Sequence, residues 1–309
     1  MSTETPDAET QASTDGHDLF VDIDLGREHL KNTVFLGVIF AASMFGVVAL
    51  ALLLLDVVTD FYVGLTEYNI SLVEFFRNDG SRRAERAGFR GAIVASIMLM
   101  ILAAALSFFV GVGSAIYLEE YAPNNRITRL IEANLSNLAG VPSIVYGLLA
   151  LAAFVNGIGM GPILLAGSLA LGLLIMPIII VASQEALRAV PDSVRRGSYA
   201  TGATKWQTIR RVVLPAAMPG ILTGTILALA RAIGETAPLL MVGALFVNRT
   251  PGGPFDRFSG MPTQIYGWAA EPSLHFIHLA AVGIVVLLAF LLTMNGVAIY
   301  LRNKYETEI

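Results

Sequence analysis

Residues 91–118, GAIVASIMLMILAAALSFFVGVGSAIYL, run for 28 positions without a charged side chain. A bilayer-spanning helix needs about 20 apolar residues, so this run is long enough to cross a membrane. Five further apolar stretches surround it, at roughly 33–58, 135–155, 162–182, 217–247 and 276–301. The composition agrees: the 309 residues are 55% hydrophobic and 14% charged, where a soluble domain carries about 25% charged residues. The reading is an all-α integral membrane protein with six transmembrane helices. A soluble enzyme is excluded.

Three stretches contain helix breakers: Pro142 in the third, Pro177 in the fourth and Pro238 in the fifth. Inside a membrane these are tolerated only where neighbouring helices or a wet cavity satisfy the freed backbone groups, so the spans are expected to pack as a bundle. Gly220 and Gly224 form a GxxxG pair that permits close helix approach.

Charge is distributed unevenly. Residues 1–30 hold eight acids against one base, Arg27, and the remainder of the chain is basic. An acidic tail rich in Ser and Thr without apolar periodicity reads as disordered. Residues 1–32 are therefore expected as a cytoplasmic tail, 33–58 as the first transmembrane helix and 59–90 as an extracytoplasmic loop. Residues 302–309 form a C-terminal tail. With the N-terminus in the cytoplasm, twelve Arg and Lys fall inside and seven outside, which favours both termini being cytoplasmic. The five Arg at 77, 82, 83, 86 and 90 oppose that assignment.

Several chemistries are absent. There is no Cys, which removes disulfides, thiol catalysis and Cys-ligated metals. None of the three lysines follows a glycine, so no phosphate-cradling loop of the Gly-Lys-Ser/Thr type exists. His275 and His278 have a spacing that could ligate a metal, but no set of carboxylates completes a site, and they read as interfacial histidines. No catalytic residue, metal site or bound cofactor is expected in this chain.

Two features remain for function. Residues 183–214 form a loop with six bases and two acids, in which Pro191 can open a helix, Gly202 can end it and Thr204-Lys-Trp-Gln207 reads as a capping box. Helix–Gly–helix with basic residues superficially suggests DNA binding. A loop tethered at both ends to the membrane excludes nucleic acid. The loop is either a solvated positive face or a docking element for a cytoplasmic protein. The second feature is Arg231 and Glu235 in the middle of the fifth stretch, with Thr236 beside them. Spaced i, i+4, the two charges share a helix face and can pair. Either they neutralise one another and fix packing, or they line a translocation pathway or gate in which the planar guanidinium meets an anion.

The segment Gly202-Ala-Thr-Lys-Trp-Gln-Thr-Ile-Arg-Arg-Val-Val-Leu214-Pro215 resembles the second half of the EAA loop of ABC-importer permeases. Arg196-Gly197-Ser198 stands where that pattern has Glu-Ala-Ala. Four more segments are similar to permeases of phosphate-specific importers, of the PstA type: Ala115 to Pro123, Gly140 to Gly147, Tyr199 to Trp206, and Arg231-Ala-Ile-Gly-Glu-Thr-Ala-Pro-Leu239. The resemblance implies that residues 91–301 form the permease domain and that the last five helices make its core. It implies an ATPase-coupling loop containing Tyr199, Ala200, Thr201, Gly202, Ala203, Thr204, Lys205, Leu214 and Pro215. It further implies a homologous PstC-like permease, two copies of a phosphate-importer ATPase that binds the ATP and Mg, an extracytoplasmic phosphate-binding protein, and phosphate moving inward through the interface between the two permeases, which membrane lipid surrounds. A permease for another oxyanion or small solute is the alternative.

Overall fold

The computed structural model describes residues 25–244, 247 and 249–306. Most of the acidic tail, residues 1–24, lies outside the described residues. The chain divides into two units, residues 1–56 and 57–309. In the first, residues 25–56 are the opening part of helix α1 (Leu25–Thr66). That helix runs eight residues past each expected end, because backbone hydrogen bonding does not stop where apolar composition does.

The regular structure of the second unit is all helical, with no strand among the described residues. After α2 (Leu72–Arg77), α3 (Arg90–Ile116) continues through a π-turn at Tyr117–Tyr121. Then come α4 (Arg126–Leu138), α5 (Ser143–Ala150) with a π-segment at Leu151–Gly157, and α6 (Leu164–Arg188). The loop contributes α7 (Asp192–Ala200) and α8 (Lys205–Thr208), and a π-turn at Ile209–Val213 carries the helix on into α9 (Leu214–Ile233). Short α10 (Ala237–Val242) and α11 (Met261–Ala269) precede α12 (Leu274–Glu306).

Among the described residues, five helices are long and apolar enough to cross a membrane: His29–Thr66, Arg90–Tyr121, Leu164–Arg188, Lys205–Ile233 and Leu274–Val297. The expected third span is not one helix. Its residues belong to α4 and to α5 with its π-segment, which bend by 105° at the break between them. Gly140 and Pro142 cause the break, since Pro disfavours helical geometry in the residue before it. The six-span count holds only if this bent pair is taken as one span. The fifth stretch also differs from expectation: its helix begins at Lys205, well inside the expected loop, and ends at Ile233. Pro142 and Pro238 do mark breaks, as the cap of α5 and near the start of α10. Pro177 does not break its helix; α6 runs straight through it. Pro177 is itself buried within the helix. One turn earlier, buried Ser107 of α3 donates to the Gly172 carbonyl at 3.0 Å.

The core is the seam of α3, α6 and α9, where Ile175, Ile179, Leu187, Val213 and Ile221 are buried together. The helices approach closely because small residues face each other. A Cβ placed on Gly224 would lie 2.3 Å from the Ala182 Cβ, and one on Gly220 2.8 Å from the Ala186 Cβ. In lipid, close packing replaces the hydrophobic drive between helices. A second cluster packs Phe75 on Phe89 (ring centroids 5.1 Å apart) and Phe89 on Trp268 (5.5 Å), tying α2 and α11 to the start of α3.

Candidate functional site

The fifth apolar stretch breaks at Gly234-Glu-Thr236. Gly234 caps α9, and the amide of Glu235 still bonds back to the Ala232 carbonyl at 3.2 Å. The Thr236 carbonyl accepts from Leu240 at 3.0 Å to begin α10, with Pro238 in its first turn, where its missing N–H costs nothing. A break leaves backbone groups without helical partners, so polar surface is concentrated here between apolar helices.

Arg231 lies in the last turn of α9, and its Nε is 3.5 Å from Glu235 Oε1. The spacing seen in the sequence thus brings the two charges together, though at the outer limit of a hydrogen bond. Arg231 is 46% exposed and Glu235 19%. Among the described residues Arg231 pairs with Glu235, through Nε. Thr236 is half-buried next to them.

Helix α5 packs on this break. A Cβ on Gly147 would sit 2.6 Å from the Pro238 Cα and 2.9 Å from the Met241 Cβ. Buried Tyr146 donates to the Leu138 carbonyl at 2.8 Å, pinning α5 to the end of α4 across the bend. The segments 140–147 and 231–239 are therefore one assembly in space.

The loop is a folded structure. Pro191 precedes α7, Gly202 has a φ of +81°, and Thr204 with Gln207 forms the expected capping box. Tyr199, Ala200, Thr201, Gly202, Thr204 and Lys205 are exposed, as is Trp206, while Ala203 and Leu214 are half-buried and Pro215 is exposed. Arg196 points to solvent as well, and Ser198 shares a 2.9 Å hydrogen bond with Thr208.

Sequence reasoning missed what fastens this loop. Arg195 pairs with Glu120 and donates to the Leu187 carbonyl at 2.7 Å. Arg188 donates to Glu119 at 2.7 Å and to Glu132 at 3.2 Å. Lys205 reaches the Glu120 carbonyl and lies over the Tyr121 ring, 4.9 Å from its centroid. The available signal was electrostatic: a loop with four more bases than acids stands opposite two adjacent acids at the same end of α3.

The histidines have a packing role. Tyr68 rests on His278 and His275, with ring centroids 4.5 and 5.5 Å away, and His278 Nδ1 lies 3.2 Å from the Asp60 carbonyl. Among the described residues no group of three or more His, Asp or Glu could hold a metal ion.

Residues 107–305 match the family described as binding-protein-dependent transport system inner membrane component. The chain is 31% identical over 248 residues to a probable ABC transporter permease protein YqgI of Bacillus subtilis, covering 79% of this chain and 84% of that one. It is 34% identical over 256 residues to the phosphate transport system permease protein PstA of Mycobacterium leprae, covering 80% of each. Its fold is similar to that of a chain in the inward-facing MetNI methionine ABC transporter, with a TM-score of 0.58 at 21% identity, covering 70% of this chain and 94% of that one.

Proposed function

This chain belongs to the family of binding-protein-dependent transport system inner membrane components, and on that premise we propose that it is the permease subunit of an ATP-driven phosphate importer. The observation that carries the proposal is the Arg231–Glu235 pair at a helix break in a membrane protein. Its 34% identity to a phosphate transport permease supports the choice of anion. A charge at this depth costs about 2.5–3.5 kcal/mol on insertion scales, so its retention suits a polar pathway. Arg231 offers planar donors to phosphate oxygens. Glu235 competes for the same guanidinium and lets the dianion leave.

The chain pairs with a homologous PstC-like permease to enclose the pathway, both termini being cytoplasmic. An extracytoplasmic phosphate-binding protein delivers phosphate. Two copies of an ATPase, which holds the ATP and Mg, dock below the permease pair, one of them on the loop around Tyr199–Lys205. From there a continuous helical run, Lys205–Ile233, leads to Arg231, so closure of the ATPases has a direct route to the site. The permease itself transports and does not hydrolyse ATP.

The test is uptake by the complete complex in proteoliposomes with labelled phosphate, sulfate and molybdate. ATP-dependent phosphate uptake is expected, with no ATP hydrolysis by the purified permease alone. Uptake of sulfate or molybdate in place of phosphate assigns a different oxyanion. Vanadate-sensitive turnover by the permease alone overturns the assignment.

A further inference from the structure

We propose that the acidic pair Glu119–Glu120 is the joint through which the loop moves the membrane helices, with Glu120–Arg195 as its central contact. The inference rests on the reading of this chain as an ATPase-driven permease.

Three separate parts of the loop region converge on this pair. Arg188, at the end of α6, donates to the Glu119 carboxylate. Arg195, on α7, pairs with the Glu120 carboxylate. Lys205, the first residue of α8, donates to the Glu120 backbone carbonyl. A further tie runs to α4, since Glu132 accepts from both Arg188 and Gln184, at 3.2 and 3.3 Å. The acids belong to none of the loop's own elements; they sit on the π-turn that continues α3.

The contacts differ in strength in an informative way. Arg188 is 54% exposed, so water and salt screen its pairs. Arg195 and Glu120 are 17% and 7% exposed. A nearly desolvated charge pair resists separation, because parting it strands a buried charge. Arg195 is also held by the Leu187 carbonyl, so α7, the end of α6 and the end of α3 move together. If the loop shifts, Glu120 follows. The π-turn supplies the compliance: its wider turn interrupts regular α geometry where a helix can adjust without unfolding, and such turns cluster at functional sites.

Directly beyond the joint, α3, α4 and α6 enclose an open cleft of about 560 Å³ whose lining includes Ser114, Tyr117, Leu118, Ile131 and Ile180. Tyr117 and Leu118 belong to the same π-turn as the two acids. Displacement of that turn therefore changes the cleft, and Ser114, one turn before it, reports the change. Glu120 and Arg195 are positioning residues in this scheme, since neither lies at the Arg231 site.

The chain contains no Cys, so Ser114→Cys introduces its sole thiol. The experiment measures maleimide labelling of that residue in the full complex, with and without ATP and vanadate, read on this chain after electrophoresis. Nucleotide is expected to change the labelling rate about fivefold or more. In Arg195→Ala and in Glu120→Gln the change falls to within about twofold, although the ATPase remains bound. The exchange Glu120→Arg/Arg195→Glu restores part of it, because it remakes the charge pair but not the bond to the Leu187 carbonyl. A full nucleotide response in both single variants overturns the joint, as does no response at Ser114 in the otherwise unaltered chain. Release of the ATPase by the single variants, or an exchange that leaves the response lost, reduces the contacts to loop folding and also overturns it. The readout does not depend on the solute. An intact response without phosphate uptake defeats the substrate assignment alone, and phosphate uptake with an insensitive response defeats the joint alone.

Discussion

Gly147 of α5 lies in backbone contact with Pro238 of α10: a methyl group at Gly147 would come within 2.6 Å of the Pro238 Cα. Backbone cannot step aside as a flexible side chain can. Gly147→Ala should therefore push α10 away from α5 and disturb the Arg231–Glu235 break, at a cost of about 1–3 kcal/mol. Thermal unfolding in detergent checks the cost, and phosphate uptake by the complex is expected to drop with it. Normal stability and uptake would show that the two helices separate freely.

Arg231→Gln should abolish uptake in a complex that still hydrolyses ATP. Arg231→Lys should restore it only in part, because an ammonium lacks the planar fork that bonds two phosphate oxygens. Glu235→Gln should impair uptake by slowing release. The double variant Arg231→Gln/Glu235→Gln decides between transport and packing: near-normal uptake in that variant would leave the pair a neutral structural bridge.

Gly202 has a φ of +81°, a conformation that costs an L-residue roughly 1–2 kcal/mol and a β-branched one more. Nothing lies within 4 Å of a Cβ built there, so the constraint is conformational and not steric. Gly202→Val should weaken retention of the ATPase and uncouple its turnover from uptake, while the protein still inserts in the membrane. Pull-down and uptake measured on the same preparation test this, and loss of expression would mean the glycine serves only loop folding.

The α6–α9 seam offers a test of packing without function. Gly224→Ala should destabilise by about 1–3 kcal/mol, since its Cβ would overlap the Ala182 Cβ at 2.3 Å. Ala182→Gly on the same background should recover much of the loss, giving a clear coupling term in a double-mutant cycle. Simple additivity of the two changes would place the Gly224 contact elsewhere.

Apolar runs made α1, α3, α6 and α12 legible, because membrane helices declare themselves by length and composition. The bend between α4 and α5 was less so: Leu135 and Leu138 merge with the following apolar run, and only Gly140 and Pro142 mark the turn. The capping box marked the start of α8, but its continuation into α9 was hidden by Arg210 and Arg211, which look like loop residues although a helix carries charges past the membrane edge without difficulty. At the site, Arg231–Glu235 and the Thr204–Gln207 box could be read because their partners lie four and three residues apart. The ties from Glu119 and Glu120 could not, since their partners are 69 to 85 residues away and only the folded chain brings them together.

The unbroken run from Lys205 to Ile233 makes chain length itself a functional variable. Each α-helical residue turns the chain by about 100° and advances it about 1.5 Å. One residue inserted or deleted between Leu214 and Arg231 therefore swings the Arg231 guanidinium about a quarter-turn relative to the loop, with every other side chain unchanged. The π-turn at Ile209–Val213 is an exception within the run. A π-turn holds about one residue more than an α-turn, so a single deletion there can tighten it to α geometry and leave the bearing of Arg231 intact. Among length variants of this segment, tolerance should thus concentrate at 209–213 and vanish above it, a pattern of indels set by rotational phase.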